Sequence, residues 1–154
     1  MKLYLDVCSL NRPFDNQIQD RIHFESEAVL TILYHCQNKE WQLIGSEVVD
    51  FEVSMIPDPD RRQKVQAFIK LMKNKVMVDD GVEKRALELT KMGISAMDSL
   101  HIACAEKGKV DVLLTTDDHL IRKANQSNKV KIRIENPVKW LLEVVNHEYP
   151  DKKS

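Results

Sequence analysis

No apolar stretch in the sequence approaches the roughly 20 residues needed to cross a bilayer, so a membrane span is not expected. The first residues lack a basic region, a long apolar core and a small-residue cleavage site, so no secretory signal is expected either. Cysteine is scarce. Cys8, Cys36 and Cys104 are odd in number, lie far apart and never take C-x-x-C spacing. That argues against a disulfide framework or a thiolate zinc site and for a reduced, cytoplasmic protein. An excess of one charge is also missing, since 23 Lys and Arg face 24 Asp and Glu for a net of −1. The global basic signature of non-specific nucleic-acid binding is therefore absent. A polyanion partner would have to be met by a local patch or by bound metal. Internal repeats, low-complexity tracts and a second domain are lacking too. The 154 residues read as one domain, 1–146, able to bury a real core, followed by a polar tail, 147–154, expected to fray.

What is present is organised around the first fifteen residues. Leu3, Tyr4 and Leu5 form a short apolar run that stops at Asp6, followed by the turn formers Ser9, Asn11 and Pro13. A continuous apolar run suits a parallel strand buried on both faces. Asp6 then lies at its carboxyl end, the edge where open α/β sheets bind ligands. From this stretch alone Asp6 is equally a site residue or a turn-starting Asp.

A polar segment, Ser9 to Asp20, leads to a helix from about Gln19, with Ile22, Ala28 or Val29, Ile32 and Leu33 on its apolar stripe and Glu25, Glu27 and Gln37 mostly off it. Trp41 to Ile44 reads as a second strand ending at Gly45-Ser46. Ser46 can cap a helix from Glu47, on which Glu52 shares the apolar side with Val48 and Met55. A carboxylate so aimed is costly unless a charged or hydrogen-bonding group meets it.

Pro57-Asp-Pro-Asp60 opens a helix through Met72, whose first turn carries Arg61, Arg62 and Lys64. These suit a solvated basic face better than a phosphate contact. Val76 to Val78 is a short strand or extended connection. Glu83 to Met92 is helical, with Gly93 as its stop. Ile94 to Ala105 is apolar nearly all round and therefore buried. Within it, Ser95-x-x-Asp98 also fits a capping box, and His101 reads as a packed or hydrogen-bonded histidine rather than a ligand.

Val112 to Leu114 repeats the opening pattern, an apolar run ending in Thr115, Thr116, Asp117 and Asp118. A helix through Leu120, Ile121 and Ala124 follows, for which either Asp could be the cap. Lys131 to Ile134 alternates as an outer strand, and Asn136-Pro137 opens a final helix. Strands alternating with helices imply a parallel sheet covered on both faces. The carboxyl ends of its strands share one edge, and there Asp6, Glu52, Asp98 and Asp117 can converge. Clustered carboxylates repel, and a hard cation such as Mg²⁺ or Mn²⁺ is the usual resolution.

These stretches resemble the PIN domain nucleases, which include toxin members of VapBC-type toxin–antitoxin pairs. The resemblance lies in Tyr4-Leu-Asp6 with Ser9, in Ser46 with Glu52 six residues on, in Asp98-Ser-Leu-His-Ile-Ala103 and in Leu113-Leu-Thr-Thr-Asp117, in order across residues 2–145. It implies a three-layer α/β/α fold with a mostly parallel sheet, and Mg²⁺- or Mn²⁺-dependent cleavage of RNA leaving a 5′-phosphate and a 3′-hydroxyl. Asp6, Glu52, Asp98 and Asp117 would be the acidic metal-binding quartet. Ser9 would assist the first Asp, Thr115 would shape the last loop, and Asp118 could support or replace Asp117. Asn11 and Arg12 are further candidates for support or phosphate contact, Arg12 being equally suited to a structural ion pair with a local Asp. A cognate antitoxin and a second copy of the chain are the partners implied.

Two other classes compete. A phosphatase or phospho-acceptor domain also ends its first strand in Asp, but the second Asp of the common phosphatase pattern is here Cys8. A catalytically silent RNA- or protein-binding domain of the same fold would need no quartet.

Overall fold

Lys2 to Leu5 form the central strand β1, in which Leu3, Tyr4 and Leu5 are wholly buried. The computed structural model describes residues 1–148. Four further strands are β2 (Gln42–Ser46), β3 (Lys73–Val76), β4 (Val112–Leu114) and β5 (Arg133–Glu135). All pair in parallel, in the order β3-β2-β1-β4-β5. The sheet is thus entirely parallel, a step beyond the mostly parallel one expected. Strand order reverses between β1 and β4, and such a switch point opens a crevice at the carboxyl ends of its two strands. The order also differs from the 2-1-3-4-5 of one group of phospho-acceptor domains, the receiver type, which therefore does not share this fold.

Eight α-helices occur among the described residues: α1 (Val7–Asn11), α2 (Asp20–Gln37), α3 (Glu47–Ser54), α4 (Pro59–Ile69), α5 (Asp80–Lys91), α6 (Ala96–Lys107), α7 (Asp118–Asn125) and α8 (Pro137–Glu148). Helices α5 and α6 pack together on the face to which Tyr4 points, and α2 packs on α8. The outcome is the three-layer α/β/α architecture. None of these helices is long and apolar enough to cross a membrane. Helix α8 continues past the boundary expected at 146, and the remainder of the expected tail lies outside the described residues.

Several local expectations need correction. The polar segment after β1 is not all loop: Asp6 Oδ1 accepts the Ser9 N–H at 3.0 Å and so caps α1, and Arg12–Phe14 adds a 3₁₀ turn. Helix α4 stops at Ile69, and the strand that follows is Lys73–Val76 rather than 76–78. Lys73, Asn74 and Lys75 are exposed on this edge strand, so no apolar pattern marked it. Helix α5 starts early because Asp79 caps it, and β5, an outer strand as expected, sits two residues beyond its expected start. Glu25, expected off the apolar stripe of α2, is only 1% exposed.

Candidate active site

The switch point puts Asp6 just after β1 and Thr115 to Asp117 just after β4. Asp6 is 5% exposed, and besides the Ser9 N–H its carboxylate accepts the Cys8 thiol, 3.1 Å from each oxygen. Burial pushes the Asp6 carboxyl above its usual range, and bonds from Thr115 and Cys8 hold it back in part. Ser9 serves twice, since its backbone meets Asp6 and its hydroxyl donates to the Leu114 carbonyl at 3.1 Å, tying α1 to the end of β4.

On the β4 side, the fully buried Thr115 accepts the Asp117 N–H through Oγ1 at 3.1 Å. Asp117 caps α7, with Oδ1 accepting from the His119 and Leu120 N–H groups. Its neighbour is engaged elsewhere. Asp118 takes a two-pronged bond from Arg21, at 2.6 and 2.7 Å, which holds its carboxyl below the usual range.

Asp98 stands in the first turn of α6. Ser95 caps that helix by accepting the Asp98 N–H at 3.2 Å. The reciprocal bond of a capping box, from the Ser95 N–H to the Asp98 carboxylate, does not occur among the described residues. The Ser95 side chain, not its N–H, is the local group that meets the carboxylate, and it only partly offsets the effect of burial. Burial pushes Asp98 upward, and the charges of Asp6 and Asp117 act in the same direction. The three aspartates thus share one electrostatic neighbourhood.

Glu52 approaches from α3, and its apolar-side position is answered by His101, whose Nε2 lies 2.7 Å from Glu52 Oε1. The imidazole is buried, and its Nδ1 lies 2.6 Å from the Tyr4 hydroxyl, itself 2.7 Å from Ser46 Oγ. Ser46 also accepts the Val49 N–H as the cap of α3. A neutral imidazole gives these bonds one consistent direction: Ser46 donates to Tyr4, Tyr4 to Nδ1, and Nε2–H to Glu52. Sequence reasoning saw His101 as hydrogen-bonded but missed Tyr4 as its partner. A tyrosine inside an all-apolar strand is the signal, because a buried hydroxyl requires a partner.

The Asn11-Arg12-Pro13-Phe14-Asp15 stretch lies beside these groups and is held internally. Arg12 binds Asp15 at 3.1 Å and Glu25 at 2.8 Å, which is the geometry of a structural ion pair. Arg61 reaches Asp15 at 2.7 Å, the Phe14 carbonyl and Asn11 Oδ1. Asn11 donates in turn to the Val7 carbonyl. Arg62 donates to the Ile56 carbonyl and Lys64 pairs with Asp60, so the basic turn of α4 mostly braces its own surroundings.

Asp6, Asp98 and Asp117 form no ion pair with Lys or Arg among the described residues. An all-carboxylate donor set, short of positive charge and partly desolvated, fits a hard divalent cation in its chemistry. Among the described residues no three His, Cys, Asp or Glu groups stand close enough to hold an ion as they are.

A family model described as the PIN domain matches residues 13–126. Among solved structures, FitAcB from Neisseria gonorrhoeae is similar with a TM-score of 0.56 at 16% identity, over 88% of this chain and 97% of that one. VapBC2 from Rickettsia felis, solved bound to a DNA fragment from its promoter, has a TM-score of 0.56 at 16% identity, over 88% of this chain and 98% of the other. A Pyrobaculum aerophilum protein follows with a TM-score of 0.55 at 14% identity, over 96% and 90%. These identities speak to the fold alone. No match is found among curated protein sequences.

Proposed function

The chain belongs to the PIN domain family, and on that premise we propose that it is a Mg²⁺- or Mn²⁺-dependent endoribonuclease, acting as the toxin of a toxin–antitoxin pair. The observation that supports the reading is the placement of Asp6 after β1, Asp117 after β4 and Asp98 in the first turn of α6, none of them paired to a basic side chain among the described residues. Phosphodiester hydrolysis builds negative charge on the phosphate and needs a nucleophile from water at neutral pH. A bound divalent ion supplies both charge neutralisation and an acidified water.

The residues divide the work as follows. Asp6, Asp98 and Asp117 would hold the ion. Cys8 and Ser9 orient the Asp6 carboxylate, and Thr115 sets the loop that carries Asp117. Glu52, fixed through Oε1 by His101, completes the site or takes the proton from the attacking water. The products would carry a 5′-phosphate and a 3′-hydroxyl. Arg12 keeps its ion pairs, and Asp118 serves as an anchor for Arg21 rather than as the fourth acid. The sequence resemblance to VapBC-type toxins and the fold shared with VapBC2 support a cognate antitoxin as partner. A homodimer and a cytoplasmic location belong to the same reading, as does a single functional domain up to residue 146.

Calorimetric titration of Mn²⁺ into metal-free protein, with Asp98→Asn beside the wild type, tests this without a known RNA target. The substitution keeps shape while removing one charge. Wild-type binding with at least about tenfold loss in the variant is expected, the scale reached even by groups that only support a ligand. Equal binding by both, or none by either, favours a catalytically silent domain.

A further inference from the structure

A cavity of about 430 Å³ is lined by Asp98 and Asp117 together with, among others, Gly93, Ser95, His119 and Lys123. We propose that it is a subsite for the phosphate next to the scissile one, with Lys123 as the group that binds it. The inference rests on the nuclease reading and adds a substrate-positioning residue to it.

Three observations support the assignment. Lys123 projects from α7 across the end of α5, where Gly93 lies at φ +90°. A Cβ at Gly93 would stand 2.7 Å from Lys123 Cε and 2.9 Å from Nζ, so the glycine leaves the channel that the lysine occupies. Gly93 also ends α5 in a Schellman turn: its N–H meets the Thr90 carbonyl at 3.0 Å and the Ile94 N–H meets that of Leu89 at 3.4 Å. One residue thereby stops the helix and seats the cation.

Lys123 also forms no ion pair among the described residues, which it shares with several other lysines, so its seat over Gly93 beside the acids is what sets it apart. Its ammonium is therefore available to a ligand. The neighbouring charges decide what kind. A strand whose scissile phosphate lies at the three aspartates must carry its next phosphate past the same negative wall. A cation fixed on that wall offsets the repulsion, and lysine binds phosphate as a compact point charge. The chain as a whole offers no general basic surface, so one placed charge matters more here than in a basic protein.

The test is binding of a labelled single-stranded oligoribonucleotide, with Ca²⁺ present, across a series of monovalent salt concentrations. Lys123→Met keeps the stem over Gly93 and removes the charge, and Lys123→Arg restores it. Each phosphate contact on a single strand contributes about 0.7 to the slope of log K against log salt. Lys123→Met should therefore flatten the slope by about 0.7 and weaken binding about fivefold near 0.1 M salt, with Lys123→Arg returning both. Wild-type binding with an unchanged slope in Lys123→Met overturns the subsite and leaves the nuclease reading standing. Failure of the wild type to bind the oligonucleotide at all withdraws that reading, and the subsite with it.

Discussion

Tyr4→Phe is the sharpest probe of how the site is held, because it removes a single atom from the middle of a buried chain of hydrogen bonds. Tyr4 is wholly buried, and its hydroxyl bridges Ser46 Oγ at 2.7 Å and His101 Nδ1 at 2.6 Å. Phenylalanine fills the same space, so cavity formation contributes little and the loss is polar. Two buried hydrogen bonds contribute about 0.5–1.5 kcal/mol each, and an acceptor left unsatisfied at Nδ1 costs about 1–3 kcal/mol. Partial overlap of these contributions gives an expected destabilisation of about 2–4 kcal/mol, or a melting temperature lower by about 5–15 °C for a chain of this size. Urea denaturation and thermal melting measure the loss. The functional content lies in a second measurement, a double-mutant cycle with Glu52→Gln. Tyr4 and Glu52 are joined only through His101, yet a directed chain couples them, and an interaction energy of about 0.5–2 kcal/mol is expected. Additive losses, or a Tyr4→Phe effect below about 0.5 kcal/mol, would refute a connected relay and reduce His101 to a packed side chain with two unrelated bonds.

Four other outcomes follow from the same structure. Because burial raises the folded-state pKa of Asp98, its contribution is favourable at low pH, where it is protonated, and is lost as pH rises through that raised value; in chelator, Asp98→Asn should therefore melt higher than wild type at pH 8, with the gap closing below about pH 4 and reversing in saturating Mn²⁺. Cys8 is only partly buried, but burial and the Asp6 charge push its thiol up to about 12, so iodoacetamide at pH 8 should label it far more slowly than an unfolded-state cysteine; rapid labelling of native protein contradicts the assignment of the thiol as a donor to Asp6. Glu25 accepts from Arg12, Arg21 and Asn136 while 1% exposed, and Glu25→Ala should cost about 3 kcal/mol in urea denaturation, the low end for a broken buried pair because Arg21 can turn to water. Asp118→Asn should leave Mn²⁺ affinity within about twofold, whereas Asp117→Asn should lower it about tenfold or more; the opposite ranking by calorimetry would make Asp118 the metal-binding acid.

What the sequence made legible was the sheet edge. Two apolar runs, Leu3 to Leu5 ahead of Asp6 and Val112 to Leu114 ahead of Thr115, identify parallel strands and their carboxyl ends, because burial on both faces leaves little room for charge along them. Glu52 was legible as a misplaced charge. Its partner was not, since His101 lies 49 residues away and only the packing of α3 against α6 brings the two together. Helix α1 was hidden for a related reason. It has five residues and no periodicity to display, and it is held by the Asp6 cap and by a Ser9 bond to Leu114, 105 residues distant. The edge strand β3 carries Lys-Asn-Lys-Val, a pattern that records solvent exposure rather than pairing. For Arg12 the sequence offered phosphate clamp and ion pair equally. The local Asp of the ion-pair reading is Asp15, at 3.1 Å, and the second acid is Glu25, which its helical register alone had put off the apolar stripe.

The treatment of acids elsewhere in the molecule gives the edge its meaning. Glu25 is met by two arginines, Glu106 by a two-pronged Arg85 at 2.7 and 3.0 Å, and the buried Glu135 by Arg133 and Lys139. Asp15 holds Arg12 and Arg61 together. This chain therefore has basic residues to spare for buried carboxylates and routinely uses them. Asp6 and Asp98 are the exceptions, shifted upward and supported only by hydroxyl, thiol and amide donors. Neutral donors can orient a carboxylate without cancelling its charge. A basic side chain paired directly with Asp6 or Asp98 would stabilise the fold and, on the function proposed above, compete with the divalent ion for the same oxygens. Unpaired acids at the switch point are expected to lower the stability of the metal-free protein, and the sign of the Asp98→Asn effect on melting, in chelator against Mn²⁺, reports whether they do and whether an ion recovers the loss.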